Sequence, residues 1–123
     1  MSKNIILYTV LVFFAFSLNM AFSEMEYPKD LKKEIALYPK ANIVHTMNVS
    51  GNTMVIMEVG DKLDTIFEFY KKELPAKGWT ILGEVKQQGN LTLMCEKGLK
   101  NMVISISLDD SGKSMVSLTL APK

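Results

Sequence analysis

The sequence predicts a two-layer α+β fold: a roughly six-stranded antiparallel sheet, one long helix (61–77) packed across one face, and a short N-terminal helix (28–38). Three observations carry this. Leu63, Ile66, Phe67, Tyr70 and Leu74 recur at the spacing of one apolar helical stripe. Runs of period-two alternation lie on both sides of that stripe, separated by turns, as in an antiparallel sheet with one buried face. Strand parity supplies the third. A helical crossover brings the third strand back parallel to the second, and three tight turns leave the sixth antiparallel to the third. The first hairpin can therefore extend the meander at either end, and the pattern does not choose between them.

The chain opens with Lys3, an apolar run from Ile5 to Leu18 and the small-x-small triplet Ala21-Phe22-Ser23. A basic start, a short apolar core and such a triplet form a secretory signal peptide over residues 1–23. The apolar run is shorter than the roughly 20 residues a membrane span needs, which favours cleavage over an uncleaved membrane anchor, and no transmembrane segment is expected after its removal. Cleavage leaves residues 24–123 as a single α+β domain, about 100 residues long and large enough for one core. No cysteine lies near the cleavage site to carry a lipid anchor. The expected location is periplasmic or secreted.

Pro28 to Tyr38 places Leu31, Ile35 and Tyr38 on one helical face, and Pro39 closes it. Ala41 to Ser50 reads as a strand with Ile43, His45, Met47 and Val49 together. Ser50-Gly51-Asn52 turns it into Thr53 to Val59, a hairpin. Asp61 is placed as the N-cap of the long helix, with Asp64 completing a capping-box-like arrangement. Pro75 predicts a kink or stop near Leu74, and Gly78 supplies the left-handed residue that ends the helix before Trp79. Four further strands follow. The buried face takes Trp79, Ile81, Gly83 and Val85, then Leu91, Leu93 and Cys95, then Met102, Ile104, Ile106 and Leu108, and finally Val116, Leu118 and Leu120.

Composition excludes several functions. There is no arginine, and once Lys3 is removed the remaining lysines match the 13 acidic residues. A neutral, arginine-free domain with scattered lysines lacks the basic patch that nucleic acid or an anionic membrane requires. Cys95 is the single cysteine, so no internal disulfide holds the fold. His45 is the single histidine, no nucleophile-elbow motif occurs, and both His45 and Cys95 fall on predicted apolar faces. Both are read as core residues, with no catalytic residue, metal site or cofactor expected. Asp109 and Asp110 beside Gly112 form a turn rather than a calcium loop.

Two patterns remain as candidates for binding. Soft ligands suit Cu(I), and His45, Met47 and an approaching Cys95 are the set such a site would use. The second pattern is the opposite sheet face. Parity leaves Met54, Ile56, Leu82, Met94, Val103 and Met115 there, enough apolar groups to form an interaction patch for a partner or a second copy.

Tyr38-Pro39-Lys40-Ala41, a hairpin, then Phe69-Tyr70-x3-Leu74-x3-Gly78-Trp79 and a meander resemble small exported bacterial domains of unknown function. The resemblance covers most of residues 28–120, and its motifs are structural, so it transfers no catalytic residue. The helix and meander are also similar in architecture to the helix-grip domains of the outer-membrane assembly lipoprotein BamC, without its lipid-anchor cysteine. The functional expectation is a non-catalytic exported binding or accessory module of the bacterial envelope. It would meet an envelope protein, or itself, through the outer sheet face. The alternative is a periplasmic small-ligand or copper carrier using the helix–sheet cleft.

Overall fold

The computed structural model describes residues 26–123, so the signal-peptide reading lies outside the described residues. Helix α1 spans Lys29–Glu34 and helix α2 Leu63–Ala76. The strands are β1 (Asn42–Val49), β2 (Asn52–Val59), β3 (Thr80–Gln87), β4 (Asn90–Lys97), β5 (Lys100–Leu108) and β6 (Ser114–Pro122). They form one antiparallel sheet in the order β1-β2-β6-β5-β4-β3. The two-layer α+β architecture is the one the sequence predicts. The hairpin joins at β6, which makes β1 and β3 the edges.

Helix length explains that choice. Fourteen helical residues reach about 21 Å, and β2 to β3 is four strand spacings, about 19 Å. A helix of this length suits a crossing over three intervening strands. Joined at the other end, β2 and β3 would lie within two spacings of each other, and much of α2 would overhang.

The inner face is apolar throughout its middle. Ile66, Phe67, Tyr70 and Leu74 of α2 share one buried cluster with Val55, Met57, Leu93, Met102, Ile104, Ile106, Val116 and Leu118. Leu31 and Ile35 extend that cluster from the N-terminal segment.

Helix α1 is shorter than expected. Ile35 is already extended, at φ −157° and ψ 140°. Trp79 Nε1 donates to the Glu34 carbonyl (3.0 Å) and Tyr27 Oη to that of Ile35 (3.1 Å). The Trp79 indole thus occupies the Glu34 carbonyl that the Tyr38 N–H of a longer helix would have used, and Tyr27 satisfies the Ile35 carbonyl, whose helical partner would be Pro39 with no N–H. Tyr38 is still buried, reached by extended chain.

The start of α2 also departs from expectation. Lys62 is the N-cap and no side chain caps it. Asp61 is drawn elsewhere: its Oδ2 accepts from Tyr38 Oη (2.6 Å), and its carbonyl accepts from Ser114 Oγ (2.6 Å). At the other end Pro75 stays inside the helix, which runs to Ala76. Gly78 (φ 88°) then closes it, with Gly78 N donating to Pro75 O (3.1 Å) and Trp79 N to Leu74 O (2.9 Å). That pair of bonds is a Schellman closure, so Pro75 forfeits only one hydrogen bond in a turn that is ending anyway.

Two bulges change which residues face which way. The β1–β2 register shifts between Ile43 and His45, and the β3–β4 register between Ile81 and Gly83. Beyond each bulge every side chain changes face. In β1 this sends His45, Met47 and Val49 outward and Thr46 and Asn48 inward, where Asn48 Nδ2 donates to Thr53 Oγ1 (3.2 Å). In β3 it turns Gly83 and Val85 outward and brings Glu84 and Lys86 beside the helix. Lys71 pairs with Glu84 (3.0 Å) and Lys86 lies 5.1 Å from the Phe67 ring. The expectation that His45, Met47, Val49, Gly83 and Val85 lie on the buried face is therefore corrected, and Leu108, expected buried, is 52% exposed at the end of β5.

Candidate functional site

The helix–sheet interior is occupied by the protein's own side chains. Val55, Met57, Ile66, Phe67, Tyr70, Leu74, Leu93, Ile104 and Leu118 are all wholly buried there. One polar atom among them stands out: Tyr70 Oη is buried with no hydrogen-bond partner among the described residues. Burial raises its pKa far above the ordinary phenol value. Nearby, burial and then the Asp61 carboxylate push the Tyr38 phenol up to about 12. At the N-terminal end of α2 an open depression of about 400 Å³ is lined by Val59, Asp61, Leu63, Leu108, Lys113 and Ser114.

The residues weighed for chemistry do not converge. Cys95 sits on the inner face of β4, its thiol donating to the Met102 carbonyl (3.3 Å). His45 and Met47 sit on the outer face of β1, with β2, β6 and β5 lying between. Opposite faces and three intervening strands separate the imidazole and thioether from the thiol, so the three share no copper site. His45 is exposed, not the partly buried histidine that the alternation predicts, because the bulge turns it out. Asp109 Oδ1 is engaged within its own turn, accepting from Ser111 N, Ser111 Oγ and Lys113 N, and these bonds lower its pKa.

Burial pushes the Cys95 thiol from 9.0 up to about 11. Native labelling of Cys95 at pH 8 should therefore be slow and become fast in denaturant, because the thiolate is the nucleophile. The same shift fixes a sign. The fold favours the neutral thiol, so its contribution is intact below about 9 and is lost as pH rises toward about 11. Rapid native labelling would place the thiol at the surface.

The outer face presents a different surface. One row across the sheet reads Met47, Met54, Thr119, Val103, Met94 and Gly83 from β1 to β3. The adjacent row reads His45, Ile56, Ser117, Ser105, Thr92 and Val85. Neither row holds a lysine, aspartate or glutamate. Met94 lies over Gly83, where an added Cβ would meet its Cε at 3.0 Å. The nearest charges on this face flank the band, and each is paired: Glu58 with Lys113 (2.9 Å) and Glu96 with Lys123 (2.6 Å). The centre of this face is therefore uncharged, apolar groups alternating with Ser and Thr, and its flanking charges pair with each other.

Of the six residues singled out from sequence, Met54, Val103 and Met94 share the first row and Ile56 lies in the second. Met115 falls in the flanking row between Glu58 and Ser107, and Leu82 is the bulged residue at the β3 edge, 59% exposed. Met47, Val49 and Val85 join this face although alternation assigns them to the core. For Val85 the local pattern points the other way, since Glu84 and Lys86 alternate with it as solvent-facing neighbours of a buried residue would. For Met47 no local signal marks the bulge.

Among the described residues no helix is long and apolar enough to cross a membrane. Comparison with curated proteins gave no match, and comparison with solved structures gave none. A family model does match, over residues 43–114, which runs from β1 through α2 to the first residue of β6. That is more than half of the chain, and the chain belongs to the START domain-like family.

Proposed function

We propose that the chain is an exported, non-catalytic binding module of the bacterial envelope that meets an apolar protein surface through the open face of its sheet. The observation that carries this is the uncharged two-row band between paired charges. START domain-like membership supports a binding role. Export is supported by the basic start, apolar run and small-x-small triplet, and by the resemblance to small exported domains. His45 and Cys95 lie on opposite faces of the sheet and do not form an acid–base and nucleophile pair, which needs hydrogen-bond reach.

The test begins with chain recovered from the envelope, whose intact mass should lack residues 1–23. Ile56→Lys on the open face should keep the fold, with a melting temperature near that of the native chain, and lose the captured partner. Retention of every partner by a folded Ile56→Lys variant would sink the reading. Unfolding of that variant would make the face core, with the same consequence.

A second reading, a small ligand held between helix and sheet, has one observation in its favour, the unpartnered Tyr70 hydroxyl. It supplies a buried donor for a polar atom of a guest.

A further inference from the structure

We propose that residues 27–41 form a strap that opens as a unit while the sheet and α2 stay folded, and that this opening is the entrance to the helix–sheet interior. The strap lies on the inner face, so nothing in this depends on the reading of the outer one. Helix α2 makes its close approaches to β3, β4 and β5. The strap crosses the sheet beside it, from Asp30 against Thr53 of β2 (3.4 Å) to Glu34 between Lys97 and Lys100 (3.5 and 3.3 Å) at the ends of β4 and β5. Tyr27, Leu31, Ile35 and Tyr38 are its buried anchors. All of it precedes residue 43, where the START domain-like match begins.

Three features make the strap separable. Its backbone bonds are its own: Lys32 N donates to Pro28 O, Ile35 N to Leu31 O and Ala41 N to Tyr38 O. Opening it therefore breaks no rung of the sheet. Its polar ties to the rest all involve side chains, the Trp79 indole on the Glu34 carbonyl, the Tyr38 hydroxyl on Asp61, and Glu34 on the two lysines. Water can replace each of them. Second, Lys40, next to the start of β1, sits at φ 61°. That left-handed region is unfavourable for a residue with a Cβ, and opening releases it. Third, the Tyr38 ring closes over Tyr70 with 6.0 Å between centroids, yet the Tyr70 hydroxyl has no partner among the described residues. Water admitted by opening supplies one. The buried anchors hold the strap closed, and the hinge strain and the unpaired hydroxyl oppose them. That balance is local, whereas the strands open only against the whole core.

The experiment is native-state hydrogen exchange of the full chain at urea concentrations below its unfolding transition. The Lys32, Ile35 and Ala41 amides should exchange at least about 100-fold faster than those of Ile104 and Leu118. Their rates should also depend weakly on urea, because the slope scales with the surface exposed. Thiol labelling then separates opening from fraying of a short helix. In a Cys95→Ser background, single Ile35→Cys, Val55→Cys and Ile104→Cys variants each place a thiol at a wholly buried position. Val55 lies beside Thr53 on the inner face of β2, and Ile104 lies in β5, which α2 covers. Ile35→Cys and Val55→Cys should be labelled at similar rates, at least about 100-fold faster than Ile104→Cys. Equal rates and equal urea slopes in strap and sheet overturn the proposal, since the two then open together. Fast strap amides with a protected Ile35→Cys overturn it as well, because only the backbone frays. A Val55→Cys as slow as Ile104→Cys shows that the strap is not the entrance. If Ile35→Cys fails to fold, Leu31→Cys takes its place, and exchange on the native chain still decides whether the strap opens alone. Every one of these outcomes leaves the outer-face reading untouched.

Discussion

Trp79→Ala should destabilise the fold by about 3–5 kcal/mol, the usual cost of emptying a buried tryptophan site. Trp79 is 3% exposed and ties three parts of the chain together. Its backbone N–H closes the end of α2, and its indole N–H donates to Glu34 (3.0 Å), holding the N-terminal segment. The Lys97 ammonium lies 5.9 Å from its ring. Truncation therefore leaves a cavity and an unpartnered Glu34 carbonyl. That is a large fraction of the about 5–15 kcal/mol typical of a small domain. Urea melts measure it. A loss below about 1 kcal/mol would mean that the site collapses without cost, contrary to ordinary cavity energetics. Trp79→Phe should recover the larger part of the loss, because the ring volume returns while the Glu34 bond does not.

Tyr70→Phe should act in the opposite direction and stabilise the protein by about 1–3 kcal/mol, the penalty of a buried hydroxyl left without a partner. Tyr70 is fully buried, its ring packed edge-on against Phe69 at 5.1 Å, and only the unpartnered oxygen is removed. Thermal melts of the two proteins under one condition decide the sign. A destabilised Tyr70→Phe that also loses a co-purifying small molecule would favour the ligand reading over the open face. A stabilised one leaves the interior as plain core. Substituting Tyr70 by leucine is a poorer probe, since it also empties ring volume.

The faces of α2, β2, β4, β5 and β6 were legible in the sequence because they follow local periods. Ile66, Phe67, Tyr70 and Leu74 recur at helical spacing, and Met102, Ile104 and Ile106 at strand spacing. Burial selects those spacings directly, so the pattern and the packed face coincide. Cys95 as a core thiol was readable for the same reason, and Gly78 as the helix stop because the left-handed closing residue favours glycine. The open face was partly readable by subtraction, which is how Met54, Ile56, Met94 and Val103 were placed on it.

What only the tertiary structure decided lies where a non-local contact outweighs a local rule. The extra residue in β1 and in β3 leaves almost no trace in composition, yet it reverses the facing of every residue after it, and so it moved His45, Met47 and Val85 outward. Asp61 suits a helix cap, but Tyr38, far back in the chain, takes its carboxylate. Helix α1 stops at Glu34, where the Trp79 indole takes the carbonyl that the Tyr38 N–H of a longer helix would need. The hairpin's place beside β6 satisfies the same parity as the alternative, and it turns on how far α2 reaches across the sheet. Local periodicity sets which residues prefer burial. The partner each element finds settles the register, the caps and the edges, and those partners are distant in sequence.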